Sequence, residues 1–354
     1  MKIGLIGLPL SGKTTIFNAL SKSNVKTSTF SGTKCSPNIS VIDVKDWRVT
    51  KLSEIYKPKK TTYAKIELVD FAGVKKEENN ADLFEPEIMR LVKTVDCLAI
   101  VLKNFPLSEN DTTNPLTNLI KIEDELIISD QIVAENRIKK IKSLGKASKN
   151  QSNVLEDKIL NRIIEYLNNS KPIRSINFTT EELKIIKGFQ FLTLKPAFII
   201  LNSSEDKYKK NKDILEELEK KYSTIEFSGK FEMELSSLDE SEKQDFMKDA
   251  GIEKSAADIL TICAYKTCGM ISFFTVGEDE VRAWEIKNGS NAVEAAGAIH
   301  SDLARGFIRA ECFSYDDLIS AGSEKVLKVN GKIRMEGKDY IVKDGDILSI
   351  RFNI

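Results

Sequence analysis

The sequence predicts an α/β protein in three parts: a domain with a mostly parallel sheet, a helical insertion and a small β-grasp-like tail. Three observations predict it. A glycine-rich loop joins a strand-like run to a helix-like run at the start of the chain. Two wholly apolar strand-like runs, Cys97–Leu102 and Ala197–Leu201, are separated by a long helical stretch. The pattern then changes to short strands from about residue 271.

The first strand is read at Ile3, Leu5 and Ile6. Its apolar stretch is too short for a leader sequence and runs straight into the loop. Ile39–Ile42 and Ala64–Val69 read as paired strands. The two apolar runs read as central parallel strands, buried on both faces. Between them, Ile122, Leu126, Val133, Ile138 and Ile141, then Leu155, Ile159, Leu160, Ile163, Ile164 and Leu167, keep helical spacing. The polar stretch 145–152 separates the two sets, which predicts an antiparallel helical hairpin, either coiled-coil-like or a plain solvent-laced pair. In the tail, strands are expected at Ile271–Val276, Val281–Ile286, Lys325–Val329, Tyr340–Val342 and Ile347–Phe352, with an alanine-rich helix near residues 292–299. The expected domains are 1–120 with 190–270, then 121–189, then 271–354.

Lysine plus arginine and aspartate plus glutamate are both 53, so no overall basic field advertises nucleic-acid binding. No apolar run reaches the length of a membrane span, and no membrane partner is expected. The five cysteines (35, 97, 263, 268 and 312) contain no CxxC pair; they fit small buried residues in a reducing cytoplasm.

Residues 7–14, Gly7-Leu8-Pro9-Leu10-Ser11-Gly12-Lys13-Thr14, complete the pattern GxxxxGK[ST]. The glycines let backbone N–H groups turn inward on phosphate oxygens. Lys13 supplies a point charge there, and the Thr14 hydroxyl is placed to ligate Mg²⁺. The following helix aims its positive end at the same oxygens. Pro9, Leu10, Ser11, Gly12, Lys13, Thr14 and Thr15 are the expected phosphate-side contacts. Asp70-Phe71-Ala72-Gly73 follows a strand, as a DxxG motif must; Asp70 would join the metal shell and the Gly73 N–H would sense the γ-phosphate.

Asn202-Ser203-Ser204-Glu205 lies at the carboxyl end of a predicted parallel strand, where open sheets bind ligands. GTPases usually carry NKxD there, so Glu205 weakens the case for guanine. A helix N-cap at Ser203 or Ser204 is the alternative reading. Ser228-Gly229-Lys230 forms a loop whose backbone could close over the base.

These pieces, with the tail blocks Phe273-Phe274-Thr275-Val276-Gly277, Glu280–Trp284, Ile299–Asp302, Gly306–Glu311, Glu336–Asp346 and Arg351–Asn353, resemble the Obg-like ATPase family of YchF type. The likeness spans essentially the whole chain. It implies a P-loop domain, an inserted coiled-coil domain and a C-terminal TGS domain of ubiquitin-like β-grasp fold. It also implies a slow ATPase and switch, with ATP bound at least as well as GTP through NxxE residues carried over to Asn202 and Glu205. Its implied partners are the ribosome or ribosomal RNA, with links to stress responses, and the chain is expected to be a monomer. The stretch 31–38 would supply a switch threonine; Thr33 is the candidate for catalysis and for the metal, although alignment from Pro37-Asn38 puts Lys34 in that place.

The chain departs from that pattern at several points. Leu10 stands where the family usually has an asparagine, which removes a candidate ligand for a monovalent cation. Val74 follows Gly73 and cannot polarise water. Residues 75–80 replace a glycine-rich segment, and no histidine follows the fourth strand. The only histidine, His300, matches a tail block and is expected to be structural or an interaction residue. A binding module without turnover and a GTP-preferring GTPase remain the alternative functions.

Overall fold

The computed structural model describes residues 1–21, 37–71, 84, 86–107, 114–143, 151–238, 242, 247 and 254–353. The chain divides into two compact units: Lys2–Ser40 with Glu67–Ala256, and Met1 with Val41–Ile66 and Ala257–Ile354. Among the described residues each is organised around a six-stranded sheet.

The first sheet has the order β2-β4-β1-β5-β6-β7. Its strands are β1 (Lys2–Ile6), β2 (Asn38–Val44), β4 (Ala64–Asp70), β5 (Cys97–Asn104), β6 (Ala197–Ser203) and β7 (Ser223–Phe227). β1 runs parallel to both β4 and β5, β5 parallel to β6, and β6 parallel to β7. Every residue of β5 and β6 is buried, as their apolar runs predict. A fully buried leucine or isoleucine contributes about 1.5–3 kcal/mol. These two strands therefore form a rigid floor, and their carboxyl ends hold the loops above it.

Helix α1 (Lys13–Ser21) follows β1, and its Ile16, Phe17 and Leu20 turn inward. The expected helical insertion is present. Helix α4 (Pro115–Ser143) packs against α5 (Gln151–Asn168), burying Ile138, Ile159, Leu160, Ile163 and Leu167 between them. The expected turn lies mostly outside the described residues. One helix serves two cores: Leu119, Ile122 and Leu126 pack with the sheet, while Ala134 and Ile138 pack with α5. Asp130, buried between those stretches, accepts hydrogen bonds from Leu192 N, Thr193 N and Thr193 Oγ1 at 2.7–2.8 Å. Burial pushes its carboxyl up to about 6 against the pull of those donors.

The second sheet has the order β11-β10-β12-β8-β9-β3. It uses β8 (Met270–Thr275), β9 (Glu280–Lys287), β10 (Phe307–Ser314), β11 (Arg334–Glu336) and β12 (Asp346–Phe352) from the tail. Its sixth strand is β3 (Lys60–Thr62), which pairs in parallel with β9. The segment 41–66 thus groups with the tail, whereas the sequence pattern assigns it to the first domain. Helix α2 (Trp47–Tyr56) lies in that segment. Its Arg48 forks onto Asp344 at 2.7 and 3.2 Å and lies over the Phe274 ring. Neither partner is near it in sequence, so no local pattern announces the contact.

Two strand assignments in the tail are corrected. Residues Glu324–Val329 form a helix, started by Ser323 Oγ accepting from Val326 N. Only Leu327 is buried there and Val329 is 86% exposed. The β-branched residues that suggest a strand therefore face solvent. Tyr340–Val342 contributes a single bridge, Ile341 with Asn291. The expected alanine-rich helix forms at Ala292–Ile299, opened by a reciprocal capping box between Asn291 and Glu294.

Candidate functional site

The phosphate loop is built by close approach of backbone to backbone. A Cβ on Gly7 would lie 2.5 Å from Val101 O on β5, so the loop can turn there only without a side chain. Gly12 has φ 87°, and its Cβ would lie 2.1 Å from Asn202 Nδ2. Leu10 also has a positive φ, 62°, and is 56% exposed. Leucine in that conformation costs about 1–2 kcal/mol; an asparagine would adopt it more readily.

Lys13, partly buried, donates through Nζ to Gly7 O at 3.0 Å and Leu8 O at 2.9 Å. Burial lowers its pKa to about 8, against the opposing pull of Asp70. The loop thus holds an ammonium on two of its own carbonyls, in position to exchange them for anionic oxygens. Thr14 Oγ1 donates to Asp70 Oδ2 at 2.9 Å, and Asn38 Nδ2 approaches the same oxygen at 3.5 Å. Asp70 is fully buried at the end of β4, in register with Leu5 of β1. A hydroxyl and a carboxylate facing each other beside a phosphate loop form the hard-oxygen donor set that suits Mg²⁺. The residues present fit that ion.

The other end of the site is assembled by side chains. Asn202, buried at the end of β6, donates through Nδ2 to Ser11 O at 3.0 Å. Its Oδ1 accepts from Gly229 N at 3.0 Å. Both ends of its amide are spent joining the phosphate loop, β6 and the start of helix α8 (Gly229–Ser237). Neither Ser203 nor Ser204 caps a helix, so that alternative is excluded. Ser203 belongs to β6 and donates to Glu226 at 2.6 Å; the next helix, Lys212–Glu219, begins well after Ser204. Glu226 on β7 also accepts from Lys209 N and Asn211 Nδ2. It anchors the loop that carries Glu205, a role unread from sequence. The only signal is an acid inside the strand run Ser223–Phe227.

Glu205 is half-exposed and pairs with Lys230 at 3.5 Å. The hydroxyls of Ser11 and Ser228 are buried and, among the described residues, lack hydrogen-bond partners. Buried orphans at both ends of one site are what a bound polar ligand would satisfy. Pro9 is exposed on the loop and Thr15 lies in the first turn of α1 beside Gly229. Thr33 and Gly73, with Lys34 and Val74, lie outside the described residues. His300 belongs to the second unit, where its Nδ1 accepts from Asp302 N as a helix cap.

Comparison with known proteins decides the family. A family model described as a 50S ribosome-binding GTPase matches residues 2–137. The "Ribosome-binding ATPase YchF" of Bacillus subtilis (strain 168) is 36% identical over 99% of this chain and 99% of its own length. The chain belongs to the YchF family. A YchF C-terminal family model, described as a protein of unknown function (DUF933), matches residues 270–353. The Escherichia coli O157:H7 protein of the same name as the Bacillus relative is 33% identical over 100% of this chain and 99% of its own length. Among solved structures, the Schizosaccharomyces pombe YchF GTPase superposes with a TM-score of 0.86 at 28% identity, covering 99% of this chain and 97% of that one. YchF membership accounts for the P-loop sheet, the helical insert and the C-terminal unit together. No described helix is long and apolar enough to cross a membrane.

Proposed function

We propose that this chain is a slow, magnesium-dependent nucleoside triphosphatase that favours ATP and works as a nucleotide-controlled switch on the ribosome, as a cytoplasmic monomer. One observation carries the reading: Lys13 on its loop carbonyls stands beside the Thr14–Asp70 pair. The ribosomal partner is supported by relatives named ribosome-binding ATPases, and triphosphate hydrolysis by the same names.

Thr14 and Asp70 would hold Mg²⁺, with Thr33 as a further candidate; the ion would neutralise charge on the phosphates. Lys13 and the loop amides, with Gly73 N–H, would bind and orient the triphosphate. Glu205, Ser228 and Gly229 would line the base, and Asn202 would fix the loops that face it. Such catalysis is positioning and charge stabilisation; with valine after Gly73, the attacking water lacks a polarising side chain in cis. Intrinsic turnover is therefore expected below the roughly 1–100 s⁻¹ range of kinases.

The test is phosphate release from ATP and GTP, with and without ribosomes, for wild type and Lys13→Ala. Slow release in the wild type, faster with ribosomes and lost in the variant, is expected. Tight ATP binding with no release under any condition would leave a binding module instead.

A further inference from the structure

We propose that Lys230 is the residue that admits guanine to this site, so that the base pocket reads both purines through one ion pair. The assignment rests on nucleotide binding as proposed above. Its footing is the pairing of Lys230 Nζ with Glu205 Oε1 at 3.5 Å. The two residues come from segments that follow adjacent parallel strands, β6 and β7. The Gly229 N–H, next to Lys230, is hydrogen-bonded to Asn202, and Asn202 to Ser11 O. The backbone at the start of α8, which carries Lys230, is thereby held beside the phosphate loop.

The chemistry follows from donors and acceptors. A carboxylate only accepts and an ammonium only donates. Adenine offers an amino donor at position 6 and an acceptor at N1. Guanine offers the opposite, an O6 acceptor and an N1–H donor. Glu205 alone suits the adenine amino group but sets a negative charge against guanine O6. Lys230 beside it supplies the missing donor: its ammonium can meet O6 while Glu205 accepts from N1–H. With adenine only the acceptor is needed: Glu205 accepts from the amino group and Lys230 turns to solvent. Glu205 is 47% and Lys230 75% exposed, so neither side chain is enclosed by neighbours that would block this exchange. For the same reason the pair contributes little to folding, and a purely structural role predicts no change in base preference.

Calorimetry with Mg²⁺ on the full chain tests this, using ADP, GDP and IDP. Inosine keeps O6 and N1–H but lacks the 2-amino group. Lys230→Met is expected to weaken GDP and IDP by about tenfold, the scale of one lost hydrogen bond to a charged group, and ADP by less than about threefold. Lys230→Arg should retain GDP. Parallel weakening of ADP and GDP, or no change in GDP, overturns the assignment. Wild-type protein that binds ADP but not GDP overturns it too, while leaving the nucleotide reading intact; binding neither overturns both.

Discussion

The two ends of the site are made in different ways. At the phosphate end, eight consecutive residues do nearly everything. Two glycines permit the turn and Lys13 bonds its own loop; Asp70, Asn38 and the Asn202 amide reach it from other strands. At the other end, Asn202, Glu226, Gly229, Glu205 and Lys230 come from separate segments that lie on or follow β6 and β7. Phosphate binding is thus a property of local backbone geometry. The arrangement at the other end is a property of sheet register.

That contrast gives three ways to break the site. The largest effect is expected from Gly12→Ala, which forces a Cβ to within 2.1 Å of Asn202 Nδ2 at a φ of 87°. Nucleotide affinity should fall about a hundredfold or more, the scale of about 3 kcal/mol of strain and lost contacts. Calorimetry on folded variant with ATP at wild-type affinity would refute this account of the loop.

Next, Asn202→Ala leaves Ser11 O and Gly229 N buried without their partner. A stability loss of about 1–3 kcal/mol is expected, read by urea unfolding, with ADP and GDP weakened alike. A selective loss of one base would mean that Asn202 reads the base rather than joining the loops.

The smallest effect is with pH. Burial lowers the Lys13 ammonium to about 8 in the folded chain, below the usual lysine value of about 10.4. Its burial cost is therefore present below pH 8 and is relieved as pH rises between the two values, where the unfolded chain binds more protons. Phosphate oxygens favour the charged form, so binding at pH 9 should take up close to one proton. ATP affinity should drop by about fivefold from pH 8 to 9. Titration in buffers of different ionisation enthalpy measures the uptake; none at pH 9 would contradict the buried-lysine geometry.

Legibility followed the same division. The loop, the strands β5 and β6 and the insertion could be read because each depends on neighbours a few residues away. Glycine spacing, unbroken apolar runs and helical periodicity carry that information. Lys325–Val329 misled because valines on a six-residue capped helix look like strand residues until their exposure is known. Asn202 stands out in the sequence at the end of a strand-like run, but its bonds to Ser11 and Gly229 do not.

By itself, then, the sequence determined a phosphate cradle, a parallel core and a distinct tail, since backbone sterics and hydrophobic period act within a few residues. Only the tertiary structure decided that β3 joins β9, that Arg48 grips Asp344, that Glu226 anchors the Glu205 loop and that Lys230 meets Glu205. Each of those contacts joins segments far apart along the chain or lying on different strands. Their pairing is set by register and burial, which no stretch of sequence encodes alone.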